Sequence, residues 1–378
     1  MKLALVRLFA NMLLTSVNMI VFLLLAGCGA PSSTITPSPV VSPSEATIDT
    51  GALSPANTPS VGNNFDYRQA WAVAFSPDGQ TVAAGYAGLA FDEPEENVNV
   101  VRLWNLNSPN EAPTILKGHT GYIESLAISP DGQYLAAGGN DSMVLVWRLN
   151  QPTTNPVKLS VAHSALDVAF SPNSRYLASG GAEDETVSIW DMHDPQAAPK
   201  LLRGDDYSGQ AIAFSPDGKT LVVGEQRGVR IWGGSDFQTQ LATLPSLDGA
   251  PIWAVAFSPE GQMLAEGGVG GTIRLWDMHD PSKPSQLDKL TGHTNTVHGL
   301  EFTPDGGTLV SGSGDKTVLL WDMNNLNMRR TKLISKIGTV DDISISPDGR
   351  RLAVVWGDPN VWIWKLDELN ATPITLMP

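Results

Sequence analysis

Apolar and polar residues along this chain alternate in short runs, and the runs return with a fixed period. Residues 122–128 (YIESLAI) alternate like a half-buried strand and stop at a turn over 129–132, where Pro presets φ and Gly accepts a positive φ. Residues 133–137 resume as a second strand, 143–148 (MVLVWR) as a third rich in residues that suit a pleated surface, and 157–161 as a fourth. The same succession recurs along the chain. Ser-Pro-Asp-Gly starts at Ser76, Ser129, Ser215 and Ser346, with variants at Ser171 (SPNS), Ser258 (SPEG) and Thr303 (TPDG). A tryptophan follows each, at Trp104, Trp147, Trp190, Trp232, Trp276, Trp321 and Trp364, spaced 43, 43, 42, 44, 45 and 43 residues apart. No stretch keeps a helical period. The pattern predicts seven copies of one four-stranded unit.

The units also carry motif residues. Trp190-Asp191, Trp276-Asp277 and Trp321-Asp322 are Trp-Asp pairs; Gly118-His119 and Gly292-His293 are Gly-His pairs, and Ala162-His163 keeps the His alone. These motifs, spread over residues 65–378, resemble the WD-repeat family. The resemblance implies an all-β fold, a seven-bladed β-propeller of four-stranded antiparallel blades over residues 64–378. It also implies a hydrogen-bonded set of His, Ser or Thr, Asp and Trp within a blade. His293, Ser311, Asp315 and Trp321 make one full set, and His163, Ser179, Asp184 and Trp190 a second. His119, Asp141 and Trp147 lack the hydroxyl, because Ala137 stands in its place. The blades ending in Trp104, Trp232, Trp276 and Trp364 match less well. Residues 372–377 (TPITLM) are similar to 113–117 (PTILK), so the last blade is expected to supply its own fourth strand and the chain ends to meet edge to edge. A short interleaved strand from 64–68 is the alternative.

The start of the chain reads differently. Residues 1–27 begin with Lys2 and Arg7, run through mostly apolar positions from Leu8 to Leu25, and end in small residues, the pattern of a secretory signal. Leu25-Ala26-Gly27-Cys28 resembles the bacterial lipoprotein lipobox and contains the single cysteine. The resemblance implies cleavage before Cys28, palmitate-type acylation of its sulfur, and a place at the bacterial cell envelope, on the outer side of the cytoplasmic membrane or on the outer membrane. An uncleaved membrane helix or an unlipidated signal are the alternative readings of the apolar run. Residues 28–63, rich in Ser, Thr, Pro and Ala, bury too little apolar surface to offset ordering entropy and read as a disordered tether.

Charge and candidate chemistry narrow the function. The formal charge is −15, and residues 1–27 carry two cations and no acid, so the remainder is more acidic still. Such a chain repels a phosphate backbone, which argues against a nucleic-acid partner. No phosphate loop or nucleophile elbow is present, and no cofactor or metal is expected. The repeated WDMHDP at 190–195 and 276–281 places His193 with Asp194 and His279 with Asp280, but Asp-Pro reads first as a tight turn. Residues 86–97 form an insertion carrying Asp92, Glu93, Glu95 and Glu96, read as a solvated acidic loop or a contact for a partner or ion. The WD-repeat resemblance implies that the start of each first strand lines the face around the channel mouth, where partners dock. Five residues before each turn Ser or Thr stand Trp71, Glu124, Leu166, Gln210, Trp253, His298 and Asp341, with Tyr122 seven before its Ser. Trp and Tyr favour interface hot spots; local packing between blades is the alternative role. The expected function is therefore a monomeric, lipid-anchored scaffold that binds a protein partner of unknown identity. The alternative is an enzyme or small-ligand binder using the central channel.

Overall fold

A computed structural model describes residues 46–49, 69–88, 98–181, 186–204, 208–325, 331–334 and 338–378. The secretory signal, Cys28, most of the tether, the acidic part of the insertion and Asp184 lie outside the described residues.

Seven antiparallel four-stranded meanders follow one another. Blade 1 is β2 (Gln69–Phe75), β3 (Thr81–Ala87), β4 (Val101–Asn105) and β5 (Thr114–Leu116), preceded in the chain by β1 (Ala46–Asp49). Blade 2 is β6 (Ile123–Ile128), β7 (Tyr134–Gly139), β8 (Met143–Arg148) and β9 (Val157–Ser160). Blade 3 is β10 (Asp167–Phe170), β11 (Tyr176–Gly180), β12 (Thr186–Asp191) and β13 (Lys200–Arg203). Blade 4 is β14 (Ser208–Phe214), β15 (Leu221–Glu225), β16 (Gly228–Gly233) and β17 (Thr239–Pro245). Blade 5 is β18 (Ile252–Phe257), β19 (Met263–Gly268), β20 (Ile273–Asp277) and β21 (Ser285–Leu290). Blade 6 is β22 (Val297–Phe302), β23 (Thr308–Ser313), β24 (Thr317–Asp322) and β25 (Thr331–Ile334). Blade 7 is β26 (Asp342–Ile345), β27 (Arg351–Val355), β28 (Val361–Lys365) and β29 (Ile374–Leu376). The molecule is a seven-bladed β-propeller, and the four antiparallel strands of every blade come from contiguous chain.

The local sequence accounts for these meanders. At the turn after the first strand in six of the seven blades, blade 5 being the exception, the Ser or Thr hydroxyl donates to the acid or amide two residues on: Ser129 Oγ to Asp131 at 2.6 Å, Ser171 Oγ to Asn173 at 2.7 Å, Thr303 Oγ1 to Asp305 at 2.6 Å. The fourth turn position takes a left-handed backbone, and glycine fills it at Gly79, Gly132, Gly218, Gly261, Gly306 and Gly349, with φ from +67° to +74°. Blade 3 has Ser174 there instead, at φ +59°. Its hydroxyl accepts the Asp131 N–H of the neighbouring blade at 3.0 Å, which offsets part of the strain.

Middle strands are buried on both faces because each blade is sandwiched between two others; β3 shows the pattern, buried at every position but its first. Outer strands alternate, as in β9, where only Leu159 is buried. The apolar core falls into seven clusters, one at each junction of adjacent blades. The junction of blade 7 with blade 1 is built like the rest: Val73, Phe75, Tyr86 and Trp104 pack on Val355, Val361, Ile363 and Leu376. Closure therefore rests on side-chain packing and cross-blade bonds. Tyr86 Oη donates to Pro359 O at 2.8 Å, Trp104 Nε1 to Met377 O at 3.3 Å, and Arg351 Nη2 to Gly79 O at 2.7 Å.

Two segments differ from the sequence reading. Tyr86 and Ala87, read as the start of the inserted loop, continue β3, and Tyr86 is fully buried. Its ring has a core place at the closing junction, which the surrounding loop composition conceals. Within the segment read as tether, Ala46–Asp49 is a strand that pairs in parallel with β25 and makes blade 6 five-stranded.

Candidate functional site

The first strands surround the axis. Each runs from one face of the ring to its Ser-Pro-Asp-Gly turn on the other, so residues at its start collect at one channel mouth. Five of these strands share an irregularity: the ladder skips one residue between Ala70 and Ala72, Ile123 and Ser125, Ile252 and Ala254, and Val297 and Gly299, and two between Ser208 and Ala211. The skipped residues include Trp71, Glu124, Gln210, Trp253 and His298. A bulge leaves one residue unpaired and re-aims its side chain. In blades 3 and 7 the same position lies just before the first strand and still bonds the second, with Leu166 N–H donating to Gly180 O at 2.9 Å and Asp341 N–H to Val355 O at 3.0 Å. The seven mouth residues thus divide into five turned out by bulges and two held by pairing.

Their environments differ. Trp71 and Trp253 are 37% and 36% exposed, a large share for tryptophan. Trp253 meets His298 edge to face, with ring centroids 6.4 Å apart, and burial lowers the pKa of His298 and keeps the imidazole neutral. Burial alone pushes Glu124 up to about 7. Asp341 rises to about 6 through burial, assisted by the charge of Asp358 and opposed by hydrogen bonds from Thr339 and Gly357. Tyr122 is half-buried and pinned, its N–H donating to Asn140 Oδ1 at 2.7 Å. β2 packs against both β6 and β26, and the positions equivalent to Trp71 in those neighbouring blades hold Glu124 and Asp341.

Deeper in the ring, other carboxylates are committed to structure. Asp342 accepts the Val73 N–H at 2.9 Å, Asp167 the Ile212 N–H at 2.6 Å, and Glu301 the Ile345 N–H at 2.8 Å. Each bond crosses from one blade's first strand to the next. Burial pushes these acids up to about 7, 6 and 8, even though the N–H bonds favour ionisation. Nothing in the sequence motifs marks them. An acidic residue at a first-strand position otherwise held by Ala, Gly or Ser is the signal that reveals Asp167 and Asp342.

The intrablade sets are resolved unequally. In blade 6, Trp321 Nε1 donates to Ser311 Oγ at 2.8 Å, Ser311 Oγ lies 2.8 Å from His293 Nε2, and His293 Nδ1 lies 3.0 Å from Asp315. This network assigns the imidazole proton to Nδ1. In blade 2, His119 Nδ1 lies 3.0 Å from Asp141 and Nε2 turns to the Ala137 carbonyl at 3.2 Å. Burial opposes ionisation of Asp141, but the bond from His119, its charge and the Thr120 and Gly121 N–H groups outweigh it and lower its pKa to about 2.

In blade 3 the set includes Asp184, which lies outside the described residues. His163 is exposed, and the buried Ser179 hydroxyl has no hydrogen-bond partner. His163 precedes its turn Ser by eight positions, whereas His119 and His293 precede theirs by ten. The poorer blades use other chemistry at the position two before the tryptophan. Arg230 pairs with Glu225 at 3.0 Å, Arg274 pairs with Glu266, Arg102 stacks on Tyr86, and Trp362 stacks on Trp364.

The WDMHDP turns hold no shared site. His193 Nδ1 lies 3.0 Å from Asp191 and His279 Nδ1 2.6 Å from Asp277, each within its own turn, while Asp280 accepts from Ser282. Among the described residues no cluster of three or more His, Cys, Asp or Glu is placed to hold a metal ion, and no helix is long and apolar enough to cross a membrane.

Comparison with known proteins agrees with this architecture. Residues 111–148, 155–191, 238–277 and 284–322 match the family model described as WD domain, G-beta repeat. Each matched segment contains the first three strands of a blade together with all or part of the last strand of the blade before it. The chain is 28% identical over 226 residues to a guanine nucleotide-binding protein subunit beta of Solanum tuberosum, covering 55% of this chain and 57% of that one. It is 29% identical over 169 residues to an uncharacterized WD repeat-containing protein of Synechocystis, covering 43% and 46%. It is 26% identical over 214 residues to the serine-threonine kinase receptor-associated protein of Bos taurus, covering 46% and 60%. The chain thus spans about half the length of the curated relatives it matches. Four matched repeats within a ring of seven four-stranded blades support a WD-repeat propeller.

Proposed function

We propose that this protein is a non-enzymatic scaffold that binds another protein on its channel-mouth face, held at the bacterial cell envelope by lipid on Cys28. The observation that carries the binding reading is the repeated bulge, which turns Trp71, Glu124, Gln210, Trp253 and His298 out of their ladders at one end of the ring. An exposed tryptophan with a carboxylate on either side suits a partner that brings a cationic group on an apolar stem. The stem would lie over the indole and the charge beside Glu124 and Asp341. The relatives with printed functions are named for assemblies with other proteins, which favours interaction over catalysis. The carboxylates deeper in the ring accept backbone N–H groups of neighbouring blades, which weighs against a catalytic role in the channel.

Affinity capture of the membrane-bound protein, beside a Trp71→Ala/Tyr122→Ala double variant, tests the reading. A stoichiometric partner retained by the first and lost by the second supports it. A partner retained equally by both overturns the assignment of the face. The anchor is tested separately by Cys28→Ser, which is expected to move the protein from the membrane to the soluble fraction; continued membrane residence overturns it.

A further inference from the structure

The outer edges of blades present unpaired backbone groups, and such edges accept an added strand. Among the described residues six blades end at their fourth strand, and blade 6 alone has a fifth. That strand comes from far away in sequence. Ala46 stands opposite Thr331, Thr47 opposite Lys332, Ile48 opposite Leu333 and Asp49 opposite Ile334, in parallel, whereas every other pairing in the ring is antiparallel. The pairing is only four residues long. It lies between Ser-, Thr- and Pro-rich stretches, with Pro43 and Pro55 nearby to limit its extension. Its two β-branched residues, Thr47 and Ile48, suit a strand. A four-residue edge pairing is weak compared with the blades that form the ring, so it opens without disturbing them.

We propose that the outer edge of β25 is a docking site for an extended segment, that the chain's own Ala46–Asp49 occupies it, and that docking sets the free length of the leash ahead of the ring. The leash part of this rests on Cys28 being the anchor point; the docking part does not. With β1 docked, residues 29–45 separate Cys28 from the docked strand and span at most about 55 Å when fully extended. With β1 released, residues 29–68 separate Cys28 from β2 and span at most about 125 Å. Docking therefore more than halves the distance the ring can travel from its anchor and so concentrates its binding face close to the attachment point.

Hydrogen exchange on the full-length protein reads the docking. In Ile48→Pro, which removes a ladder N–H, the amides of Thr331–Ile334 that point away from β24 are expected to exchange about tenfold faster or more, while β22 to β24 keep their protection. A synthetic peptide of residues 44–51 added to that variant is expected to restore protection. Unchanged exchange in Ile48→Pro overturns the docking site, and so does faster exchange that the peptide does not slow. The leash is read on lipid vesicles by energy transfer from a bilayer dye to a label on the ring. Lower transfer in Ile48→Pro supports it, and equal transfer overturns it. If neither form associates with vesicles, the anchoring reading fails, and the exchange data still decide the docking site.

Discussion

Two serines at equivalent second-strand positions give a sharp test of how the intrablade networks act. Ser311 and Ser179 each stand eight residues after their turn Ser or Thr, and both are almost fully buried. Ser311 bonds the Trp321 indole and the His293 imidazole, each at 2.8 Å. In Ser311→Ala the imidazole has a fallback, because His119 in blade 2 turns to a strand carbonyl where alanine stands naturally. Trp321 Nε1 loses the Ser311 hydroxyl it donates to, and removing the partner of a buried donor costs about 1–3 kcal/mol. Ser179 has no hydrogen-bond partner, so Ser179→Ala removes an uncompensated polar atom and is expected to be neutral or stabilising by up to about 1 kcal/mol. Urea unfolding, followed by tryptophan fluorescence for all three proteins in one buffer, measures the difference. Equal destabilisation by the two substitutions, or a neutral Ser311→Ala, would refute the claim that the blade 6 network contributes through its hydrogen bonds.

Further outcomes follow from other parts of the ring. Burial raises Asp167, Asp342 and Glu301 to about 6, 7 and 8, so the folded state holds their protons more tightly than the unfolded state does. Their contribution to stability is complete below the ordinary carboxylate range and is lost as pH rises through 6 to 8. The urea midpoint is therefore expected to be higher near pH about 5 than near about 9, and Asp342→Asn, which still accepts the Val73 N–H, flattens that slope. Asp141 is lowered to about 2, so its share runs the other way and is lost only in strong acid. Gly79→Ala forces a side chain into φ +67°, with its Cβ 3.1 Å from Arg351 Nη2 at the closing junction. A loss of about 1–2 kcal/mol is expected in the same unfolding assay. For partner binding measured by calorimetry, Trp71→Ala is expected to weaken affinity about thirtyfold or more, whereas Trp356→Ala, at a buried core position, changes stability instead.

Much of this protein was legible in the chain itself, because a repeat states its rules seven times. The turn motif and the tryptophan spacing mark blade number and strand order, since each depends on local geometry: a Ser cap, a proline φ and a left-handed glycine. The same local logic explains the first-strand positions at the channel mouth, which a count back from the turn finds. Failures of the sequence reading came where a residue's role depends on something distant. His163 is exposed on a loop two residues shorter than those that carry His119 and His293, a difference that appears only when lengths are compared between repeats. Tyr86 sits beside an acidic insertion and reads as loop, but the closing junction places its ring in the core. The sequence by itself determined the strands, the turns and the sevenfold repetition, all set by contacts within about 45 residues. Only the tertiary structure decided which first-strand residues leave the ladder, which carboxylates bridge neighbouring blades, and that Ala46–Asp49 adds an edge to blade 6. Those depend on pairings between segments up to about 290 residues apart, whose register no local pattern records.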